Sequence, residues 1–139
     1  MVSVVVEKEI PVPAEKVWAL LADFGDISWS GMTNVVVEGE GVGMTRRIIV
    51  GEGQEALERL DARDAEQMTF TYSILSGNAM PINNIQGSPK VSVVDDQNCI
   101  LSWTITGAEE GISESEAQEM LSGFYSGLLG VVSKAALAS

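Results

Sequence analysis

The 139-residue sequence contains no histidine and one cysteine, Cys99. Without histidine there is no Ser-His-Asp or Cys-His catalytic set and no histidine-ligated metal. A lone cysteine forms neither an internal disulfide nor a zinc knuckle, and Cys99 stands in a strand-like run. Basic residues are scarce as well. Eight Lys and Arg against twenty Asp and Glu leave a formal net charge of −12, which repels nucleic-acid phosphate and anionic membrane alike. The basic residues are scattered, and Arg46–Arg47 is their only adjacent pair. No basic segment precedes an apolar stretch at the N-terminus, so the expected compartment is the cytoplasm. The acidic residues do not group as metal ligands. Asp95-Asp96 falls on a turn, while Glu109-Glu110 and Glu114–Glu116 precede or open a helix, where carboxylates suit the positive dipole end. No metal or cofactor is expected.

What is present is an ordinary globular composition, 45% hydrophobic, and a length that fits one domain over 1–139. Val2 to Ile10 is valine-rich and weakly alternating, which predicts a strand closed by Pro11 and Pro13. Val17, Leu20, Leu21 and Phe24 then recur at helical spacing, predicting a helix over about 14–23, followed by an irregular or helical link with Ile27 and Trp29. From Thr33 the pattern is extended. Asn34–Glu38 and Gly43–Val50 read as a hairpin about a glycine turn, with Gly51-Glu52-Gly53 as a second break. Strands follow at Glu55–Leu60, Met68–Leu75, Asn84–Val94 (interrupted by Pro89) and Cys99–Thr106, with Asp61–Glu66 as a turn and Ser76–Pro81 as a loop. The spacing predicts an antiparallel meander.

The tail changes period. Ser113 and Glu116 form a Ser-x-x-Glu capping box. Ala117, Met120, Leu121, Phe124, Leu128, Val131, Val132 and Ala135 recur every three or four residues to about Leu137. The uncharged run 120–133 is too short to span a bilayer. Gly123, Gly127 and Gly130 are costly inside a helix, each about 1 kcal/mol against alanine, and are expected to make room for the sheet or a cavity. The order is α+β: strand, one or two short helices, six strands, long helix. One helix covers only part of a curved sheet, and the expected result is a hollow between them.

Pro-x-Pro-Ala-Glu-Lys-Val-Trp at 11–18, Gly41-x-Gly43-x-x-Arg46, Glu58-Arg59-Leu60, Asp64, Tyr72 and Trp103 together resemble the START-like superfamily. The likeness is nearest its bacterial polyketide cyclase/dehydrase-like branch and more distant to the plant abscisic-acid receptors and the birch pollen allergen. It covers nearly the whole chain. The resemblance implies the helix-grip fold, a seven-stranded curved antiparallel sheet around the C-terminal helix, with an apolar ligand cavity between them. It does not fix a function, since one fold hosts many activities. Gly51–Gln54 and Ser76–Pro81 stand where the receptors carry their gate and latch. The receptors' own gate and latch residues are absent, and Val35-Val36-Val37 occupies the place of their ligand-binding lysine, so the resemblance does not extend to abscisic acid.

The candidate site residues follow from alternation. Ala56, Glu58 and Leu60 share a strand face. A carboxylate there sits in a low-dielectric pocket, as general acid or base or as anchor for a ligand polar group, or in an ion pair with Arg46 or Arg47. Met44, Ile48 and Val50 accompany Arg46, which favours Arg46 inward, where it would select an anionic head, and Arg47 in solvent. Phe70, Tyr72 and Ile74 share a face, and Tyr72 is a hydrogen-bond donor to a ligand carbonyl or to backbone. Trp103, with Leu101 and Ile105, is core or cavity wall. Phe124, Tyr125 and Leu128 are expected to line the cavity, with Met80 and Met120 as adaptable walls. Three functions are open: binding of a small hydrophobic or amphipathic molecule, a cyclase/dehydratase-type enzyme using Glu58, Tyr72 and Arg46, and a co-chaperone-like interaction module whose acidic surface suits a basic partner.

Overall fold

A computed structural model describes residues 1–139. Strand β1 (Val2–Ile10) leads into helix α1 (Ala14–Ala22) and a single 3₁₀ turn at Ser28–Ser30. Strands β2 (Val35–Glu38), β3 (Thr45–Gly51), β4 (Gln54–Asp64), β5 (Thr69–Ser76), β6 (Ile82–Asp95) and β7 (Asn98–Glu109) follow, and helix α2 (Glu114–Ala138) closes the chain. The strands form one antiparallel sheet in the order β1-β7-β6-β5-β4-β3-β2. This is the helix-grip arrangement that the resemblance implies.

β4 and β6 continue through residues that read as breaks in the sequence, and β7 runs three residues past its predicted end, to Glu109. β4 continues through Asp64, because a register shift between Leu60 and Ala62 absorbs Asp61 as a bulge. Arg59 Nε donates to Asp61 Oδ1 at 2.7 Å, and the Ser73 hydroxyl donates to Oδ2, so a turn-like Asp-Ala-Arg-Asp stretch is held in the sheet. β6 runs through Pro89 without a break. Proline offers no ladder donor, and the β5–β6 pairing skips from Thr69–Lys90 to Tyr72–Gly87 beside it. The Thr69 hydroxyl takes up the slack by donating to the Pro89 carbonyl at 2.8 Å. Such bulges sharpen the local twist and bend the sheet.

The capping box of α2 is formed. Glu116 N–H donates to Ser113 Oγ at 3.1 Å, and Ser113 N–H donates to Glu116 Oε1 at 3.2 Å. The helix buries Ala117, Leu121, Tyr125, Leu129, Val132 and Ala136, chiefly against β1, with further contact to β7, α1 and the 3₁₀ turn. Its small residues do something other than expected. Gly123, Gly127 and Gly130 are exposed, and a Cβ at any of them would meet nothing within 4 Å. They make no room for sheet or cavity, because the helix is turned so that Tyr125, not glycine, faces inward. Since α2 lies over the β1–β7 half of the sheet, the concave face of β3, β4 and β5 is left for another occupant.

Candidate functional site

That uncovered half holds a cavity of about 370 Å³. Its floor comes from alternating residues of the sheet: Arg46, Ile48 and Val50 on β3, Ala56 and Glu58 on β4, Tyr72 and Ile74 on β5, and Trp103 on β7. Period-two alternation places each set on one face. The roof is Phe124, Tyr125 and Leu128 of α2. One side is the 3₁₀ segment with Ile27, Trp29 and Met32, and the rim is the Gly77–Met80 loop.

Of the residues singled out in the sequence, Glu58, Arg46, Tyr72, Met80, Trp103, Phe124, Tyr125 and Leu128 come together around this cavity. Phe70 and Met120 do not. Phe70 is buried one layer behind, with its ring 6.1 Å from Tyr72 and 6.0 Å from Phe24. Met120 is 41% exposed on the outer side of α2, one turn before Phe124. The 3₁₀ segment was not anticipated as a wall. Its apolar residues follow no regular period, so only their hydrophobicity in a loop could have marked them.

Arg46 and Glu58 lie directly opposite across β3 and β4. Arg46 Nε donates to Glu58 Oε1 at 2.7 Å, and Nη2 lies 2.7 Å from the same oxygen. Nη1 donates to the Phe24 carbonyl at 2.9 Å. The guanidinium carbon stands 4.0 Å from the Phe24 ring centroid and 5.5 Å from that of Tyr72. Both side chains are nearly buried, 9% and 12% exposed. Arg46 is thus inward, as alternation indicates, but its charge is taken by Glu58, and the expected anionic head is not required. Arg47 is the solvent-side arginine, 3.0 Å from Glu55.

Beside this ion pair is an aromatic corner. The Tyr72 and Tyr125 hydroxyls are 3.3 Å apart. Burial pushes the Tyr125 hydroxyl up to about 12 and the Tyr72 hydroxyl well above its ordinary value. Trp103 packs against both, with ring centroids 6.4 Å from Tyr72 and 5.7 Å from Tyr125. Its indole Nε1 is buried and has no hydrogen-bond partner. An unsatisfied buried donor costs about 1–3 kcal/mol. Gly87 of β6 lies under this corner, where a Cβ would come 2.7 Å from the Tyr72 hydroxyl oxygen. Gly87→Ala is expected to push Tyr72 off its partner and to lose about 1–3 kcal/mol through overpacking. A chemical-denaturation midpoint unchanged from wild type would contradict this.

The two loops differ. Gly51–Gln54 is an ordinary hairpin turn with Gly51 paired to Gln54, and only the preceding Val50 reaches the cavity. The loop after β5 does line it. Asn78 ties that loop together, its Oδ1 accepting from Met80 N–H at 3.0 Å and its Nδ2 donating to the Met80 carbonyl at 3.1 Å. Gly77, at φ +85°, passes so close to β4 that a Cβ would sit 2.6 Å from the Ala56 Cα. Beyond Ser73 the β5–β6 ladder ends, and a smaller polar hollow of about 170 Å³ opens between the strands, sharing Ile74, Gly77, Asn78 and Met80 with the main cavity.

Known proteins share this arrangement. The XoxI protein of Bacillus cereus superposes with a TM-score of 0.84 at 24% identity, covering 99% of this chain and 96% of its own, which speaks for the fold alone. The MLP-like protein 423 of Arabidopsis thaliana is 27% identical over 110 residues, 71% of each chain. Ribonuclease 1 of Panax ginseng is 34% identical over 85 residues, 54% of this chain and only 55% of the ginseng protein's length. The family model described as polyketide cyclase / dehydrase and lipid transport matches residues 1–136, from β1 almost to the end of α2. With the cavity, the whole sheet and all but the last residues of the gripping helix inside that match, the chain belongs to the polyketide cyclase/dehydrase and lipid transport family.

Proposed function

We propose that the protein binds a small, predominantly apolar molecule in the cavity between β3–β5 and α2. The observation that carries this is the lining: fourteen of nineteen residues are hydrophobic, around a volume of about 370 Å³, within the roughly 300–1,000 Å³ of small-molecule sites. Phe124 contributes to the lining while remaining 57% exposed, which puts an aromatic at the mouth. An open hollow of this kind speaks for ligand binding over the interaction-module reading, which a filled interior would suit. Ribonuclease action is not adopted from the ginseng relative, because this chain has no histidine and a net charge of −12 that opposes phosphate.

A second reading, a cyclase- or dehydratase-type enzyme, is supported by the one carboxylate in the lining. The Arg46 contacts fall on Glu58 Oε1, so Oε2 lies outside the ion pair and is the atom that would exchange a proton with a substrate. Tyr72 and Arg46 would position that substrate.

The test is a cavity-filling variant. Ala56 is half-buried and lines the cavity, so Ala56→Phe places a ring in it. We expect N-phenyl-1-naphthylamine, a neutral probe that fluoresces in apolar sites, to bind wild type and to bind Ala56→Phe at least about tenfold more weakly, the loss of roughly 1.4 kcal/mol of apolar contact. Circular dichroism checks that the variant is folded. Equal binding by both proteins would place the probe, and the function, elsewhere.

A further inference from the structure

We propose that the bound molecule is a neutral amphiphile: its apolar body lies in the main cavity, and an uncharged head carrying hydroxyl or amide groups lies in the polar hollow between β5 and β6, held by Ser76 and Asn84. This rests on the cavity-binding reading and narrows it to a ligand class.

The hollow is a gap with defined ends. The β5–β6 ladder stops at Ser73–Gln86, and at the far end Asn78 Nδ2 donates to the Ile82 carbonyl. Two backbone features hold it open. Asn84 has φ +55°, the left-handed conformation that asparagine tolerates better than most residues, and Asn84 and Ile85 have no ladder partner on β5 or on β7. Opposite them Gly77 is pressed onto β4, where a Cβ would sit 2.6 Å from the Ala56 Cα, which draws the chain after β5 away from β6. The wall of the resulting hollow is almost entirely polar, although half of its ten lining residues are hydrophobic. Its polar side chains are Ser76, Asn78, Asn83 and Asn84. Asn78 is spent on Met80 and Ile82, and Asn83 donates to Glu110. That leaves Ser76 and Asn84, each able both to donate and to accept. The hollow adjoins the main cavity along Ile74, Gly77, Asn78 and Met80, which line both. An apolar site thus passes into a polar one within a few residues, the layout that fits a molecule apolar at one end and polar at the other. The head is uncharged because neither compartment offers a counter-charge. No Asp, Glu, Lys or Arg lines the hollow. In the main cavity Arg46 is the only cation and Glu58 the only acid, and they are paired with each other. A charge taken out of water without a partner is strongly unfavourable, and an anion also meets a chain at −12.

The test uses four molecules of one chain length: 1-monodecanoylglycerol, which has a diol head, methyl decanoate, which keeps the ester but lacks the diol, decanoate, an anion, and decylammonium, a cation. Each competes with N-phenyl-1-naphthylamine below its micellar concentration, at about 0.15 M salt to screen long-range attraction. Methyl decanoate is the more apolar of the two neutral molecules and leaves water more readily, so a preference for the diol marks hydrogen bonds at the head. We expect 1-monodecanoylglycerol to bind wild type about three- to tenfold more tightly than methyl decanoate, the worth of one neutral hydrogen bond, and both charged molecules to bind more weakly than the diol. In Ser76→Ala combined with Asn84→Gly the diol preference should vanish, with methyl decanoate little affected. Glycine suits the backbone at position 84, and circular dichroism checks that the double variant is folded. In wild type the backbone amide resonances of Ser76, Asn84 and Ile85 should move with 1-monodecanoylglycerol and not with methyl decanoate, a readout that needs no variant. If the fluorescent probe binds but the diol shows no preference, or keeps it in the double variant, or leaves those resonances unmoved, or if either charged molecule binds most tightly, this inference falls and cavity binding stands. If neither the fluorescent probe nor any of the four molecules binds, both fall.

Discussion

Arg46→Ala is expected to destabilise the protein by about 3–5 kcal/mol, because it strands the Glu58 carboxylate in a nearly dry site. The melting temperature should fall by roughly 10–20 °C for a domain of this size. The substitution removes three things together: the two contacts to Glu58 Oε1, the hydrogen bond to the Phe24 carbonyl, and the guanidinium stacked 4.0 Å from the Phe24 ring. Of these, the unpaired carboxylate dominates, since breaking a buried ion pair costs about 3–5 kcal/mol against about 2 kcal/mol or somewhat more for a desolvated cation–π contact. The argument makes a second, sharper claim. Arg46→Met combined with Glu58→Leu removes both charges and leaves apolar groups of similar bulk, and buried pairs so replaced often lose nothing. The double variant should therefore melt near wild type, well above Arg46→Ala.

Arg47→Ala is the internal control. Its pair with Glu55 is 40% and 50% exposed, and exposed pairs contribute about 0–1 kcal/mol. Should Arg46→Ala melt like Arg47→Ala, the inner pair is solvated and the cavity floor is wetter than its geometry indicates. If the double variant melts as low as the single one, then packing and the Phe24 contact, not charge, hold β3 to β4. Either way the cycle separates a structural role of the pair from a ligand role, because the apolar double variant should still take up N-phenyl-1-naphthylamine.

The same residues mark how far the sequence could be read. Arg46 inward and Arg47 outward follow from strand alternation, and so does Glu58 beside Ala56, because one buried face of a sheet imposes a strict period of two. The Ser113–Glu116 capping box is local chemistry and was equally legible. The facing of α2 was not. Apolar residues occur around most of its circumference, with Met120, Phe124, Val131 and Leu137 all exposed, so periodicity alone does not select the face that Tyr125 leads. This is why Met120 lies outside the cavity and why its glycines face solvent. Phe70 was misplaced for another reason. Sharing a strand face with Tyr72 fixes its direction but not its depth, and Trp18 and Phe24 close over it. Pro89 and Asp61 read as breaks because the contacts that keep them in strands, from Thr69 and from Arg59 and Ser73, come from elsewhere in the sheet or from the bulge itself.

Alkaline pH should unfold the protein through its tyrosines. Tyr72 and Tyr125 are the chain's only two, and both are raised by burial, Tyr125 from 10.0 to about 12 and Tyr72 well above 10.0. A raised value means that the folded state keeps its proton after the unfolded chain has released its own. Below pH 10 both states keep their tyrosine protons and the tyrosine contribution to stability is constant. Above it the unfolded state binds fewer protons, and stability falls with rising pH until the folded value is passed. For Tyr125 the rise from 10.0 to about 12 amounts to about 2 kcal/mol lost by pH 12, and Tyr72 adds to it. Denaturation midpoints should accordingly decline gently above about pH 8, where the Met1 amino group and the Cys99 thiol, both raised in the folded state, lose their protons first in the unfolded chain, and then drop more steeply above pH 10. With no exposed tyrosine in the chain, tyrosinate absorbance should not rise gradually near pH 10 but should appear together with loss of the far-ultraviolet dichroism. Tyr72→Phe combined with Tyr125→Phe removes both groups of the hydroxyl pair at once, a change that is close to neutral when both partners become apolar, and should flatten the alkaline decline. Tyrosinate forming near pH 10 while the dichroism stays native would mean that the two hydroxyls reach solvent, and the dry aromatic corner that holds Trp103 would have to be abandoned.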